Sequence, residues 1–183
     1  MPKVITWVDL QGRYRVTSPA YKEGETEEAC LERVWARLVA VGGYGIAIDH
    51  PHHYVESADQ TAKINAECSG QDFRYAGIPD SNGNQSAERG AWEMDTDGTP
   101  KVNMTKARAV HMDKIRVVRN AELVKEDLNM LKALEAGDSS AQGAVNTKKQ
   151  TLRDIPATFD ITTDVDTPEK LKAKWPAELP ARE

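Results

Sequence analysis

Apolar and polar residues alternate at the start of the chain and fall into helical spacing over much of its remaining length. Lys3–Asp9 alternates as a half-buried strand does, and Arg13–Thr17 repeats the pattern after the short turn Leu10-Gln11-Gly12. The two read as a β-hairpin closed by Ser18-Pro19. From Glu25 to Val41 the period changes, and Leu31, Val34, Trp35, Leu38 and Val41 form the apolar stripe of a helix. Acidic residues in its first turn and Arg33 and Arg37 later suit the helix dipole, and Gly42-Gly43 ends it. Tyr44–Asp49 is the next candidate strand, and Glu56–Cys68 a short, weakly amphipathic helix. Phe73–Ala76 has the composition of a strand start, and Asp80–Arg89 that of a polar loop with Asn82-Gly83 at its tip. Ala91–Asp95 and Pro100–Asn103 flank Thr96-Asp97-Gly98 as a second hairpin.

The stretch Met104–Ala136 contains neither Gly nor Pro and is the strongest helix signal in the chain. One apolar series runs Val110, Val117, Ala121, Val124, Leu128, Leu131, and a second runs Met104, Ala107, His111, Ile115, Val118. Steps of three, four and seven keep both on one side of a helix. Asn103 or Thr105 can cap its start, and Gly137 with Asp138 its end. At about 1.5 Å per residue it would reach roughly 50 Å, longer than a core of this size needs. After a reversal at Asp138–Ser140, Ala141–Arg153 reads as a returning helix that lays Ala144, Val145 and Leu152 on the first and stops at Pro156. Ile161–Thr167 reads as extended, Thr167-Pro168-Glu169 as the cap of a short helix to Lys174, and Trp175 and Leu179 as residues that dock back onto the hairpin base. The expected class is α+β: a small N-terminal α/β part with β-hairpins, residues 1–103 with an insertion at about 43–90, followed by a long antiparallel helical hairpin over 104–183.

Composition sharpens this picture. The 183 residues are 39% hydrophobic and 29% charged, which points to a modest core with much solvated surface. A net charge of −5 argues against a nucleic-acid binder. The basic first half of the long helix, Lys106, Arg108, Lys114, Arg116 and Arg119 against Asp113, has no interleaved aromatic residues for stacking on bases. No apolar run approaches the ~20 residues of a membrane span, and the N-terminus lacks the order of a signal peptide. Cys30 and Cys68 sit in no metal motif and read as two reduced, packed thiols.

The one histidine cluster is His50-Pro51-His52-His53, which Glu56, Asp59 or Cys68 would have to complete as a metal site. Neighbouring histidines in an extended loop point in different directions, so a polar loop is the simpler reading. The acidic turn at Asp95–Asp97 lacks the alternating ligands and distal Glu of an EF-hand. No nucleophile has a visible partner base. No catalytic residue, metal or cofactor is therefore expected. Arg116 and Arg119, one turn apart, are placed to reach Asp154 or Glu122 and staple the hairpin, at roughly 0–1 kcal/mol for each exposed pair.

The segments Arg116–Leu123, Lys148–Pro156 and Thr167–Pro180 resemble the helical-hairpin segment of tailed-phage tail assembly chaperone and tail-fibre-associated proteins. That segment carries an Arg-x-x-Arg-Asn helix, a returning helix ending Leu-Arg-Asp-x-Pro, and a terminal Trp-Pro. Here these are Arg116, Arg119, Asn120, Leu152, Arg153, Asp154, Pro156, Trp175 and Pro176. The hairpin feeding a Lys-Ala-Arg helix at 91–116, and the opening hairpin, are also similar to uncharacterised phage and prophage proteins. The resemblance covers residues 91–180 well, 1–41 loosely and 43–90 poorly. The Trp-rich connector that many chaperone-type segments carry between their helices is absent here. The resemblance implies a non-enzymatic virion structural protein of the tail, baseplate or fibre-attachment region, made in the host cytoplasm. Its partners would be other phage structural proteins and copies of itself. Oligomerisation would bury the apolar side of the long helix, Leu128 and Leu131 included. The alternative within the same resemblance is a non-virion chaperone for the tail or tail fibre.

Overall fold

Lys3–Val8 (β1) is the strand on which the N-terminal half is built, because both of its edges are paired and both of its faces covered. In this computed structural model, which describes residues 2–10, 12–41, 44–68, 73–74 and 90–182, β1 pairs antiparallel with Tyr14–Thr17 (β2) and with His52–Glu56 (β3). The order is β2-β1-β3, with Trp7 opposite Arg15 on one side and His52 on the other. Asp9 fixes the first turn: its buried carboxylate accepts from the Arg13 backbone N–H at 3.0 Å, Arg13 Nε at 2.6 Å and Arg15 Nε at 2.8 Å.

Glu27–Val41 (α1) lies on one face of the sheet. Leu31 and Trp35 bury against Ile5 and Trp7, with Val34 and Leu38 partly covered, while Val41 is exposed in spite of its place in the expected stripe. Trp7 and Trp35 meet edge to face at 5.7 Å, a favoured aromatic geometry. The strand expected at Tyr44–Asp49 is displaced to His52–Glu56. Residues 44–49 are instead a loop that tucks Ile46 under the two tryptophans and lends the Ile48 carbonyl to Trp35 Nε1 at 2.8 Å. The 43–90 stretch thus supplies a paired strand and the helix Ser57–Glu67 (α2) to the body of the protein. Gln11, Gly42-Gly43, Tyr75-Ala76 and the loop Asp80–Arg89 lie outside the described residues.

On the opposite face Tyr14, Cys68, Phe73, Trp92, Ala107, Val110, Val165 and Leu171 form one buried cluster. It joins the hairpin Trp92–Met94 (β4) and Pro100–Val102 (β5) to the start of the long helix and to the C-terminal segment, so a single core crosses the 103/104 boundary. Gly98, in the β4–β5 turn, has φ +81°, and a Cβ there would overlap His53 Cβ and lie 2.6 Å from its Cγ. Only glycine fits both the backbone and the space. Its carbonyl accepts from the Tyr14 hydroxyl at 3.0 Å, and burial pushes that phenol up to about 12.

The long helix is Met104–Glu135 (α3). Asn103 caps it, its side chain accepting from the N–H groups of Thr105 and Lys106 at 3.0 and 3.1 Å. At the far end Asp138 N–H bonds Ala133 O and Gly137 N–H bonds Leu134 O, with Gly137 at φ +63°: a Schellman cap. The reversal is therefore Ala136–Asp138, and Ser139 and Ser140 already belong to the returning helix Ser139–Thr158 (α4), capped by Asp138. Val145, Leu152 and Ile155 are its buried residues, and Ala144 faces solvent. Pro156 does not stop α4. In the last turn its missing N–H forfeits a single bond, and Phe159 N–H still reaches Ile155 O at 2.9 Å. The protein is thus α+β with a long antiparallel helical hairpin.

Residues 161–167, expected as extended, form turns. The Asp160 carboxylate gathers Thr162 N–H at 2.7 Å, Thr162 hydroxyl at 2.6 Å and Thr163 N–H at 3.2 Å, and Asp164 takes φ +58°. Aspartate's short side chain competes with an extended backbone in this way. The helix Pro168–Ala173 (α5), capped by Thr167, comes next. Trp175 and Leu179 then return to the hairpin base, against Met112, Ile115, Leu152 and Ile155.

Candidate interaction surface

The two apolar series of α3 part company in three dimensions. The series through Ala107, His111 and Ile115 is buried, and His111 fixes the C-terminal segment by donating to Lys174 O at 2.7 Å. The other series leaves the core after Val110. Val124 is 61% exposed, Leu128 57% and Leu131 56%, with Val117 and Leu134 also open to solvent. The reason is where α4 sits. It packs on a third stripe of α3 that includes partly buried Leu123, buried Ala133 and the buried carboxylate Glu126. At about 100° per residue, Val124 and Leu128 lie roughly 160° from Glu126, on the opposite side of α3.

The hairpin is stapled by residues other than those the sequence suggested. Glu126 pairs with Lys148 at 2.6 Å, and Asp127 with Lys149. The hydrogen bond from Lys148, then that from Asn129, holds the Glu126 carboxyl below its ordinary value. Arg116 pairs with Asp113 on its own helix at 2.9 Å, Arg119 Nε is buried without a partner, and Asp154 accepts from Gln150 at 2.8 Å. The clamp from Arg116 or Arg119 to Asp154 does not form: Arg119 shares the Glu126 stripe of α3, but Asp154 is exposed, off the side of α4 on which Leu152 and Ile155 are buried. Asn120, Arg153 and Asp154 are exposed on the hairpin, and Leu152 is in its core. Trp175 is half-buried and donates its Nε1–H to Pro180 O at 2.8 Å. It walls a cleft of about 530 Å³ between the C-terminal tail and Val117, Val118, Ala121 and Lys125 of α3.

Lys106, Arg108 and Lys114, like Arg116, are engaged within the chain. Lys106 pairs with Glu93 at 2.8 Å, Arg108 donates to Val165 O at 2.8 Å, and Lys114 sits 5.6 Å over the Phe73 ring. Two of the three clustered histidines are likewise committed. His50 donates to Val8 O at 2.6 Å, and His52 donates through Nδ1 to His50 O at 2.9 Å while its ring stacks on Trp35 at 4.1 Å. Among the described residues no three His, Cys, Asp or Glu side chains are grouped to hold a metal ion; Cys30 and Cys68 are buried thiols, and Cys68 donates to Pro100 O at 3.6 Å. A cleft of about 570 Å³ beside α2 is lined by Glu56, Asp59, Lys63, Asp97 and Thr99, with the Thr99 hydroxyl donating to Asp97 Oδ1 at 2.5 Å. No helix among the described residues is long and apolar enough to cross a membrane.

The outward apolar stripe of α3 is left as the candidate surface. Sequence periodicity marked its residues but gave no sign that this stripe, rather than its neighbour, is the one left open. No family model, curated protein or solved structure matches the chain.

Proposed function

We propose that the chain is a non-enzymatic structural protein of a tailed-phage particle, in the tail, baseplate or fibre-attachment region, acting through protein–protein contacts. The observation that carries the contact-based role is the open stripe Val124–Leu134 on the helical hairpin. Large apolar side chains aligned on one face mark surfaces that other proteins cover. The phage setting rests on the resemblance at Arg116, Arg119, Asn120, Leu152–Asp154 and Trp175-Pro176. A capped hairpin closed by Trp175 fits it. In this reading the partners are other structural proteins of the particle and further copies of the chain.

The test is quantitative mass spectrometry of purified mature particles, scaled to the major capsid protein. A fixed ratio set by particle symmetry supports a virion part. A protein abundant in the infected lysate but missing from particles would overturn it in favour of an assembly chaperone.

A further inference from the structure

We infer that α3 self-associates with further copies of this chain as a parallel, in-register coiled coil along Val117, Ala121, Val124, Leu128 and Leu131. These positions are spaced four, three, four and three, the strict heptad seam of period 3.5. Within one chain α4 occupies the opposite side of the helix, and of these positions Val117 and Ala121 face the C-terminal tail across the cleft walled by Trp175, while Val124, Leu128 and Leu131 stay open. With Ala121 and Leu128 at a, the d positions are Val117, Val124 and Leu131. Glu126 and Ala133 then fall at f, the position farthest from the seam, and both are buried under α4. The seam and the α4 interface thus lie on different sides of one helix.

The flanking charges select the orientation. Lys125 and Lys132 occupy e, and Asn120, Asp127 and Leu134 occupy g. In a parallel pair g meets e of the following heptad on the partner, so Asp127 faces Lys132 on both sides of the seam. Asp127 keeps more than half of its side chain exposed while paired to Lys149, which leaves it accessible to a second cation. An antiparallel pair would set e against e, bringing Lys125 and Lys132 together, and like charges oppose that arrangement. Leu at a beside Val at d resembles the placement that favours three or four strands over two. The inference deepens the contact-based role by naming its partner as the chain itself, and depends on the phage reading only for its setting.

The experiment uses the full chain carrying Val124→Cys or, separately, Leu131→Cys under mild oxidation, with light scattering of the unmodified protein. A mass that is a multiple of 20.3 kDa, with an interchain disulfide between identical residues in both variants, is expected. An antiparallel pair can bring at most one of these positions onto itself, so a cross-link at one alone overturns the orientation. A monomer at every concentration overturns the seam. Leu128→Lys should give a folded monomer with an unchanged helical signal, since the side chain it replaces is solvent-exposed. Asp127→Lys should weaken association, and adding Lys132→Asp should restore it. An oligomer indifferent to all of these substitutions would place the contact elsewhere and defeat the inference. None of these readouts involves particle composition, so the seam and the virion role stand or fall separately.

Discussion

Leu128 and Leu152 carry the same side chain on the two helices of one hairpin, and truncating each to alanine separates core from surface. Leu152 is 1% exposed, enclosed by Met112, Ile115, Ile155 and Leu179. A buried Leu→Ala change loses transfer free energy and leaves a cavity, together about 2–5 kcal/mol. In a chain of this length each kcal/mol moves the melting temperature by about 2–4 °C, so a mid-range loss of ~3 kcal/mol lowers Tm by roughly 6–12 °C. Leu128 is 57% exposed, and the same truncation should cost the isolated chain no more than about 0.5 kcal/mol. On the proposed seam its effect belongs to the assembly. Covering the open half of a leucine contributes about 1 kcal/mol per copy, so a two-copy contact weakens by about 2 kcal/mol, or roughly 30-fold in Kd. Circular dichroism melts at low protein concentration, with sedimentation equilibrium on the same samples, read the two effects apart. Equal losses of Tm, or a Leu152→Ala protein as stable as its parent, would refute the assignment of these faces.

Three further substitutions probe how the body is held. Gly98→Ala should cost at least about 2 kcal/mol, from the left-handed backbone and the overlap with His53; an unchanged urea midpoint would refute the close approach. Asn103→Ala removes the cap of α3 and should cost about 1 kcal/mol, measured by the same titration; no loss would mean that the bonds to Thr105 and Lys106 do not hold the helix start. Burial acts to raise the Asp9 carboxyl, but the bonds from Arg13 and Arg15 prevail and hold it below its ordinary 3.8. A lowered folded pKa gives stability that is present above the unfolded value and lost as pH falls through the folded one. Asp9→Asn should therefore flatten the acid side of a stability–pH curve, below about pH 4; an acid limb as steep as the parent's would rule out this source.

Much of the fold was legible in the sequence because it arises from local chemistry. The first hairpin, the Asn103 cap, the Gly137 cap, the uninterrupted run of α3 and the return of Trp175 are all set by residue type and spacing. The strand at His52–Glu56 was not legible. It is an edge strand, rich in histidine, whose apolar share is little more than Val55, so its pattern is weaker than that of the loop just before it. The hairpin interface was obscured for a related reason. Part of it is Glu126 with Lys148, a buried carboxylate that no apolar periodicity detects, and two stronger apolar stripes on α3 mask it. Periodicity reports that a face is apolar, not whether the chain's own core or another molecule covers it.

On the proposed phage reading, the most direct measurement is the yield of infectious particles from a phage whose own copy of this protein carries Leu128→Lys and Leu131→Lys. Both residues are exposed, so the variant should accumulate as a folded, soluble chain. The account predicts that particle yield collapses, with tail or fibre attachment incomplete by electron microscopy. Normal yield with the variant incorporated at the usual ratio would contradict it, because the open stripe of α3 would then have no part in assembly.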